Sequence, residues 1–420
     1  VQKILLYLLL IVSLLTSYLA GVVSYPVFQQ WFGGAPTPQP VVQSADPIDM
    51  TVFWEVWHLL DRDFYGEKPV GVERGYGAIR GLVAAFDDPY TRFEEPVQTE
   101  RDTVAFCGCS GGIGASIELV ADRYILHPAP DQPAAAAGIF DGDQLVQVDD
   151  TPITVELTID DVVQLVRGEV GSEVKITVHR PAQDATTAVN VANATGTPVT
   201  PVSAIDVLTF VIERVEIQIP SLEWRLLADD PATATIGYIR HTSFTGNSPD
   251  EMRSALTALQ EQGAERYILD LRGNPGGPVD AALAIADMWI DEGLLLIEEH
   301  ANGEQERFDA VAGTEVGDAP LVVIVDAGSA SASEIVAGAL QDHGRAQLIG
   351  EPTYGKGSVQ LRYELADKSS LFVTSANWFT PNHQPIAGAG LTPDVMVAAG
   401  VDPLPAAIAS VQQVTVARAP

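Results

Sequence analysis

Over 420 residues, 56 Asp and Glu stand against 23 Lys and Arg, a formal net charge of -33 that repels phosphate backbones and excludes nucleic acid as a partner. The length allows two or three domains with real cores, and the acidity reads first as a solvated surface. The only cysteines, Cys107 and Cys109, make neither a disulfide framework nor a four-ligand zinc set, leaving two free thiols or one strained pair open.

From Ile4 to Val23 the chain runs without a charge, with Lys3 before it and Tyr25, Phe28 and Trp31 near its far end, as a bilayer span requires. Leu19-Ala20-Gly21 is a poor cleavage site, which favours an uncleaved anchor, so residues 1–25 read as a transmembrane anchor or signal segment. Either way the body is expected on the extracytoplasmic face, periplasmic or extracellular. Residues 26–48 form a Pro- and Gln-rich linker.

In 49–98, Val52, Phe53, Val56, Trp57 and Leu60 recur at helical spacing and Tyr76–Phe86 repeats the pattern, predicting an N-terminal helical region. Between 99 and 185 short strands and glycine turns dominate, with one helix capped by Thr158, carrying Asp160 and Asp161 in its first turn and ended by Gly168. A Thr- and Ala-rich linker follows at 186–205. From 206 to 400 apolar strands alternate with helices expected at 249–262, 279–289 and 332–343, which argues an α/β core. Residues 401–420 read as a tail.

LVVIVDAGSASASEIVAGALQDHG, 321–344, runs from a buried strand through small residues into a helix, a place where a serine stands beside free N–H groups. By itself Ser331-Ala332-Ser333-Glu334 reads more readily as a helix-capping box than as a nucleophile site. None of the seven histidines sits in a recognisable pairing with a serine, so the alternative base is a desolvated lysine. Lys356, one of five lysines, lies between Gly355 and Gly357, where it fits a buried amine or an exposed turn equally. Gly350 to Lys356 falls one residue short of a phosphate-binding loop, since Gly357 replaces the hydroxyl and a strand-like run follows instead of a helix. Upstream, YILDLRGNPGG at 267–277 ends a strand in a turn whose Gly276 and Gly277 can present backbone N–H groups.

Together YIRHTSF, ILDLRGNPGG, DAGSASASEI, GEPTYGKGSVQ and WFTPNHQPIAGAGLTPDV resemble, in order and spacing, the carboxyl-terminal processing (tail-specific) serine proteases, which use a Ser/Lys dyad. FDDPYT at 86–91 resembles the segment before their PDZ domain, and GGIGASIEL with AGIFDGDQLVQVDD resembles that domain. The resemblance spans roughly 49–400. It implies a crotonase-like α/β protease core, an αβ sandwich with helices on a mixed sheet, plus a small PDZ domain.

Position by position, the resemblance implies Ser331 as nucleophile, Lys356 as general base and Gln360 as the lysine's assistant. The oxyanion hole falls on the backbone N–H groups of Gly277 and Ala332, with Ser329 and Ser333 in support. Gly112, Ile113 and Gly114 would receive the terminal carboxylate of a peptide tail, and Arg167 matches an arginine with a regulatory role, although a helix C-terminal cation explains it equally. No metal or organic cofactor is required. Cys107, Cys109 and Asn382-His383 depart from the family pattern without touching the dyad.

The implied activity is a serine endopeptidase acting near protein C-termini through an acyl-enzyme. The alternative is a catalytically silent PDZ scaffold, which has no need to keep Ser331, Lys356 and Gln360 together. Expected partners are protein or peptide C-terminal tails and, through the N-terminal segment, a membrane; an activating partner or self-association stays open.

Overall fold

The computed structural model describes residues 49–181, 205–228 and 230–413. Residues through Gly81 form one unit and Leu82 onward another. In the first, α1 (Thr51–Asp63) and the start of α2 (Gly71–Ala84) follow the predicted helical period. Val52, Phe53, Val56, Trp57 and Leu60 line a groove of about 360 Å³ there, and Arg74 lies 4.6 Å over the Trp57 ring while pairing with Asp61. The expected span at 4–23 and most of both linkers lie outside the described residues. Among the described residues no helix is long and apolar enough to cross a membrane.

The second unit opens with β1 (Arg92–Glu94), α3 (Pro96–Cys107) and β2 (Cys109–Gly112). A small domain follows: β3 (Ala115–Val120), β4 (Arg123–Pro128), α4 (Pro133–Ala137), β5 (Asp143–Val148), β6 (Thr151–Pro152), α5 (Ile159–Val166), β7 (Glu173–Pro181) and β8 (Ile205–Glu213). Its sheet runs β3-β4-β5-β7-β8, leaving β3 at an edge, around a core of Ile113, Leu126, Leu145, Val162, Ile176 and Val178. The predicted cap on α5 is a reciprocal box: Thr158 Oγ1 accepts the Asp161 N–H at 3.1 Å, and Asp161 Oδ2 accepts the Thr158 N–H at 2.9 Å.

Residues 205–213, assigned from sequence to the end of a linker and the start of the protease core, instead pair along β7 from Pro181↔Ile205 to Glu173↔Glu213. The physical reason is alternation: Leu208, Phe210 and Ile212 fall on one strand face and cover the small domain's core.

The larger domain contains β9 (Val215–Gln218), β10 (Leu222–Leu226), β11 (Ile236–His241), α6 (Ser248–Glu261), β12 (Arg266–Asp270), α7 (Val279–Asp287), β13 (Gly293–His300), β14 (Gln305–Ala310), β15 (Leu321–Val325), α8 (Ala332–Asp342), β16 (Ala346–Gly350), β17 (Ser358–Glu364), β18 (Ser370–Phe379), β19 (Val395–Met396) and α9 (Leu404–Gln413). The main sheet is β10-β11-β12-β15-β16-β19, antiparallel at the β10–β11 pair and parallel elsewhere. Its central strand β15, LVVIV, reads as an unbroken apolar run because both its faces are covered. Leu269, Leu321 and Val323 face the core shared with α6, α7 and α8, whereas Ile268, Val322 and Ile324 face Ala407 and Val411 of α9. Thus part of the expected tail is a packed helix. A second, antiparallel sheet joins β1, β18, β13 and β14, with β17 on β18.

His241, at the end of β11, is fully buried with its ring 4.2 Å from that of Phe244. Burial lowers its pKa from 6.5 to about 4. Because the unfolded chain then binds the extra proton, stability is full above pH 6.5 and falls as pH drops toward 4, by about 3 kcal/mol. Chemical denaturation at pH 7 and 4.5 should show a correspondingly shallower loss in His241→Gln; equal slopes would refute this reading.

Candidate active site

β12 and β15 are adjacent parallel strands, and the turns leaving their C-terminal ends build the site. Asp326 Oδ1 accepts N–H groups from Gly273 at 2.8 Å and Gly328 at 2.9 Å, joining the two turns. Asn274, fully buried, donates to the His241 carbonyl at 2.9 Å and accepts the Gly276 N–H at 3.0 Å. At the base of the first turn Arg272 forks onto buried Asp270, with Nη2 at 2.6 Å from Oδ2, and the Tyr238 hydroxyl donates to the same oxygen at 2.6 Å. The Arg272 hydrogen bonds to Asp270 hold its guanidinium firmly protonated, and burial raises the Tyr238 phenol.

The three serines of the second turn have different partners. Ser329 Oγ donates to the Leu271 carbonyl at 2.8 Å and Ser333 Oγ to the Asn274 carbonyl at 2.9 Å, so both hydroxyls fasten the turns together. Ser331 differs. Its backbone sits at φ 54°, ψ -116°, in a region costly for a residue with a side chain, and its hydroxyl is not tied to a distant carbonyl. The Glu334 N–H goes to the Ser331 carbonyl at 2.8 Å, while the Glu334 carboxylate accepts the Ser331 N–H at 2.8 Å. The expected capping box is therefore present at the helix start, with the Ser331 carbonyl also taking the Glu334 N–H, and Ser331 lines the cavity beside it.

Glu334 does more. Fully buried, it also accepts the Thr353 hydroxyl at 2.5 Å, the Gly355 N–H at 2.7 Å and the Lys356 N–H at 2.9 Å. One carboxylate thus holds the backbone of the candidate nucleophile and that of the candidate base. Sequence reading missed this role, because S-x-x-E carries no sign of the loop 20 residues away.

Lys356 is half-buried, its Nζ 5.3 Å from the Tyr90 ring centre and its carbonyl accepting from Trp378 Nε1 at 2.9 Å. Burial lowers its pKa and the Arg92 guanidinium lowers it further, against a weaker opposing pull from Glu334. Gly355, at φ 91°, packs against the backbone of Gly388–Gly390, with its missing Cβ 2.9 Å from the Gly390 nitrogen. Gln360 donates to Ser358 at 2.8 Å and reaches the same cavity.

Two cavities, of about 500 and 280 Å³, are both lined by Gly277, Ser331 and Lys356. A Cβ on Gly276 would lie 2.9 Å from the Ala332 nitrogen, and one on Gly277, at φ 154°, would lie 2.0 Å from the Phe244 carbonyl oxygen. The turn therefore lies against the start of α8. Among the described residues, neither the Gly277 nor the Ala332 N–H has a protein acceptor.

The small domain contributes Arg167, at the end of α5, to the larger cavity, together with Phe106 and Gly108 of the connecting segment. Gly108 lies between Cys107 and Cys109, which form a disulfide, the second of the two states left open by sequence. Beyond it, Gly112 ends β2, Ile113 is buried in the small core, and Gly114 turns at φ 70° into edge strand β3, against which α5 packs.

Peptidase family S41 matches residues 235–397 and the PDZ domain family matches 124–180. A carboxyl-terminal-processing protease of Picosynechococcus sp. is 36% identical over 353 residues, covering 83% of this chain and 79% of that protein. Carboxyl-terminal-processing peptidase 2, chloroplastic, of Arabidopsis thaliana is 34% identical over 83% of this chain and 65% of its own. Carboxy-terminal processing protease CtpA of Bacillus subtilis is 32% identical over 76% and 63%. With its S41 core and PDZ domain, the chain belongs to the carboxyl-terminal-processing serine proteases of peptidase family S41.

Proposed function

We propose that this protein cleaves other proteins near their C-termini with Ser331 as nucleophile and Lys356 as general base. The observation that carries this reading is the shared Glu334 anchor, which fastens the backbones of Ser331 and Lys356 at one cavity that both residues line. Neutral Lys356 takes the Ser331 proton as Oγ attacks a peptide carbonyl. The amine product leaves with that proton, and water, deprotonated by the same lysine, opens the acyl-enzyme. Charge developing on the carbonyl oxygen meets the N–H groups of Gly277 and Ala332, assisted by the helix N-terminus. Gln360 orients the lysine from the adjoining strand. Phe106, Val279, Val359 and Phe372 line the smaller cavity and favour an apolar side chain before the scissile bond.

The PDZ domain selects the tail. A peptide C-terminus adds as a strand along the open edge of β3 beside α5, with its carboxylate on the N–H groups of Gly112, Ile113 and Gly114, and Arg167 links that groove to the reaction cavity. We place the protein on the extracytoplasmic face, anchored by the charge-free stretch 4–23. The Cys107–Cys109 disulfide supports this location because such bonds persist in oxidising compartments.

The test is cleavage of an unfolded reporter ending in an apolar tail, followed from pH 6 to 10, beside the same reporter with an amidated C-terminus. Since Lys356 must be neutral and its pKa is lowered, kcat/KM should rise with pH and level off below the ordinary lysine value of 10.5. Amidation should raise KM. A rate indifferent to both pH and the free carboxylate would refute the reading.

A further inference from the structure

Away from the reaction cavity, the tip of the β13–β14 hairpin brings together Glu298, His300 and Glu306, whose ligand atoms all lie within 4.8 Å of one another. The arrangement follows from strand geometry. Glu298 and His300 are two apart on β13 and so share a face, while Glu306 is the cross-strand partner of Glu298. Directly opposed carboxylates repel and destabilise a sheet unless something between them compensates.

Glu298 is the unusual member. It is 8% exposed, and two residues before it on the same face Leu296 is fully buried in the main core, so the pattern would admit an apolar residue here. Among the described residues its carboxylate has no hydrogen-bond or ion-pair partner. The charges acting on it are Glu306, His300 and Asp280 at the start of α7, with no lysine or arginine among them. A buried carboxylate facing two others and an imidazole is costly alone and well matched to a cation.

We propose that Glu298, His300 and Glu306 form a binding site for a divalent transition-metal ion, with Zn²⁺ the best fit. Two carboxylates and one imidazole at short mutual distance supply three of four tetrahedral positions, leaving the fourth to water on the exposed Glu306 side. Ca²⁺ and Mg²⁺ call for larger all-oxygen sets and have no use for the imidazole. Bound metal would pin the hairpin tip. On the other side of β13, Glu298 pairs in register with Trp378, whose indole N–H holds the Lys356 carbonyl, so the pinned strand also supports the lysine loop.

The test uses the full chain, stripped with a chelator and kept free of reductant so that Cys107 and Cys109 stay paired. Calorimetric titration with ZnCl₂ should show one high-affinity ion per chain, and the melting temperature should rise with Zn²⁺. His300→Ala and Glu298→Gln should each weaken that binding at least about tenfold. In chelator, Glu298→Gln should melt at or above the wild type, because it removes an uncompensated buried charge; this also shows that the variant folds. The proposal is overturned if the wild type binds no stoichiometric Zn²⁺, if Ca²⁺ or Mg²⁺ binds better, or if both variants bind Zn²⁺ as the wild type does.

Discussion

Replacing Ser331 by Ala or Lys356 by Ala is expected to lower kcat about ten-thousandfold or more, with folding unchanged by circular dichroism and thermal melting. Removing either half of a nucleophile–base unit costs about as much as removing both, because each is inert without the other, so the double variant should lose little more than the singles. Lys356→Arg sharpens the test. It keeps the positive charge and much of the bulk, yet a guanidinium cannot give up its proton at working pH, so the variant should be as inactive as Lys356→Ala. If Lys356 merely bound substrate through its charge, Arg would rescue. Single-turnover rates on the tailed reporter separate these outcomes, and retention of even a few per cent of activity in Ser331→Ala would remove it from the nucleophile's role.

The second large effect is expected at a residue that touches no substrate. Glu334→Ala should destabilise the protein by about 3–5 kcal/mol, since four donors, from Ser331, Thr353, Gly355 and Lys356, lose their only common acceptor inside the core. Activity should fall at least about a hundredfold, mainly in kcat, because the backbones of the nucleophile and the base are no longer fixed to one point. Glu334→Gln should not rescue: its amide nitrogen would present hydrogens to groups that are themselves donors. Urea denaturation and steady-state kinetics measure the two effects. Wild-type stability in Glu334→Ala would show that the four bonds contribute nothing net, and wild-type kcat in a destabilised variant would separate the anchor from catalysis.

Much of this organisation was legible from the chain. Helix α5 was written in Thr158 and its acidic first turn, and the doubly covered strands in runs such as Leu321–Val325, because periodicity and capping act over a few residues. Gly355 and Gly357 likewise flagged Lys356 by local chemistry, and the order of the motifs pointed to the family. The tertiary structure decided what depends on distant atoms. It showed Ser329 and Ser333 spending their hydroxyls on carbonyls 58 and 59 residues away, leaving Ser331 the one of the three not so engaged. It gave Glu334, besides its place in the helix cap, the anchoring of the lysine loop, moved 205–213 into the PDZ sheet, and packed part of the expected tail as α9. The common reason is that a side chain's local pattern states which element it enters, whereas its partners are set by which turns the folded sheet brings side by side.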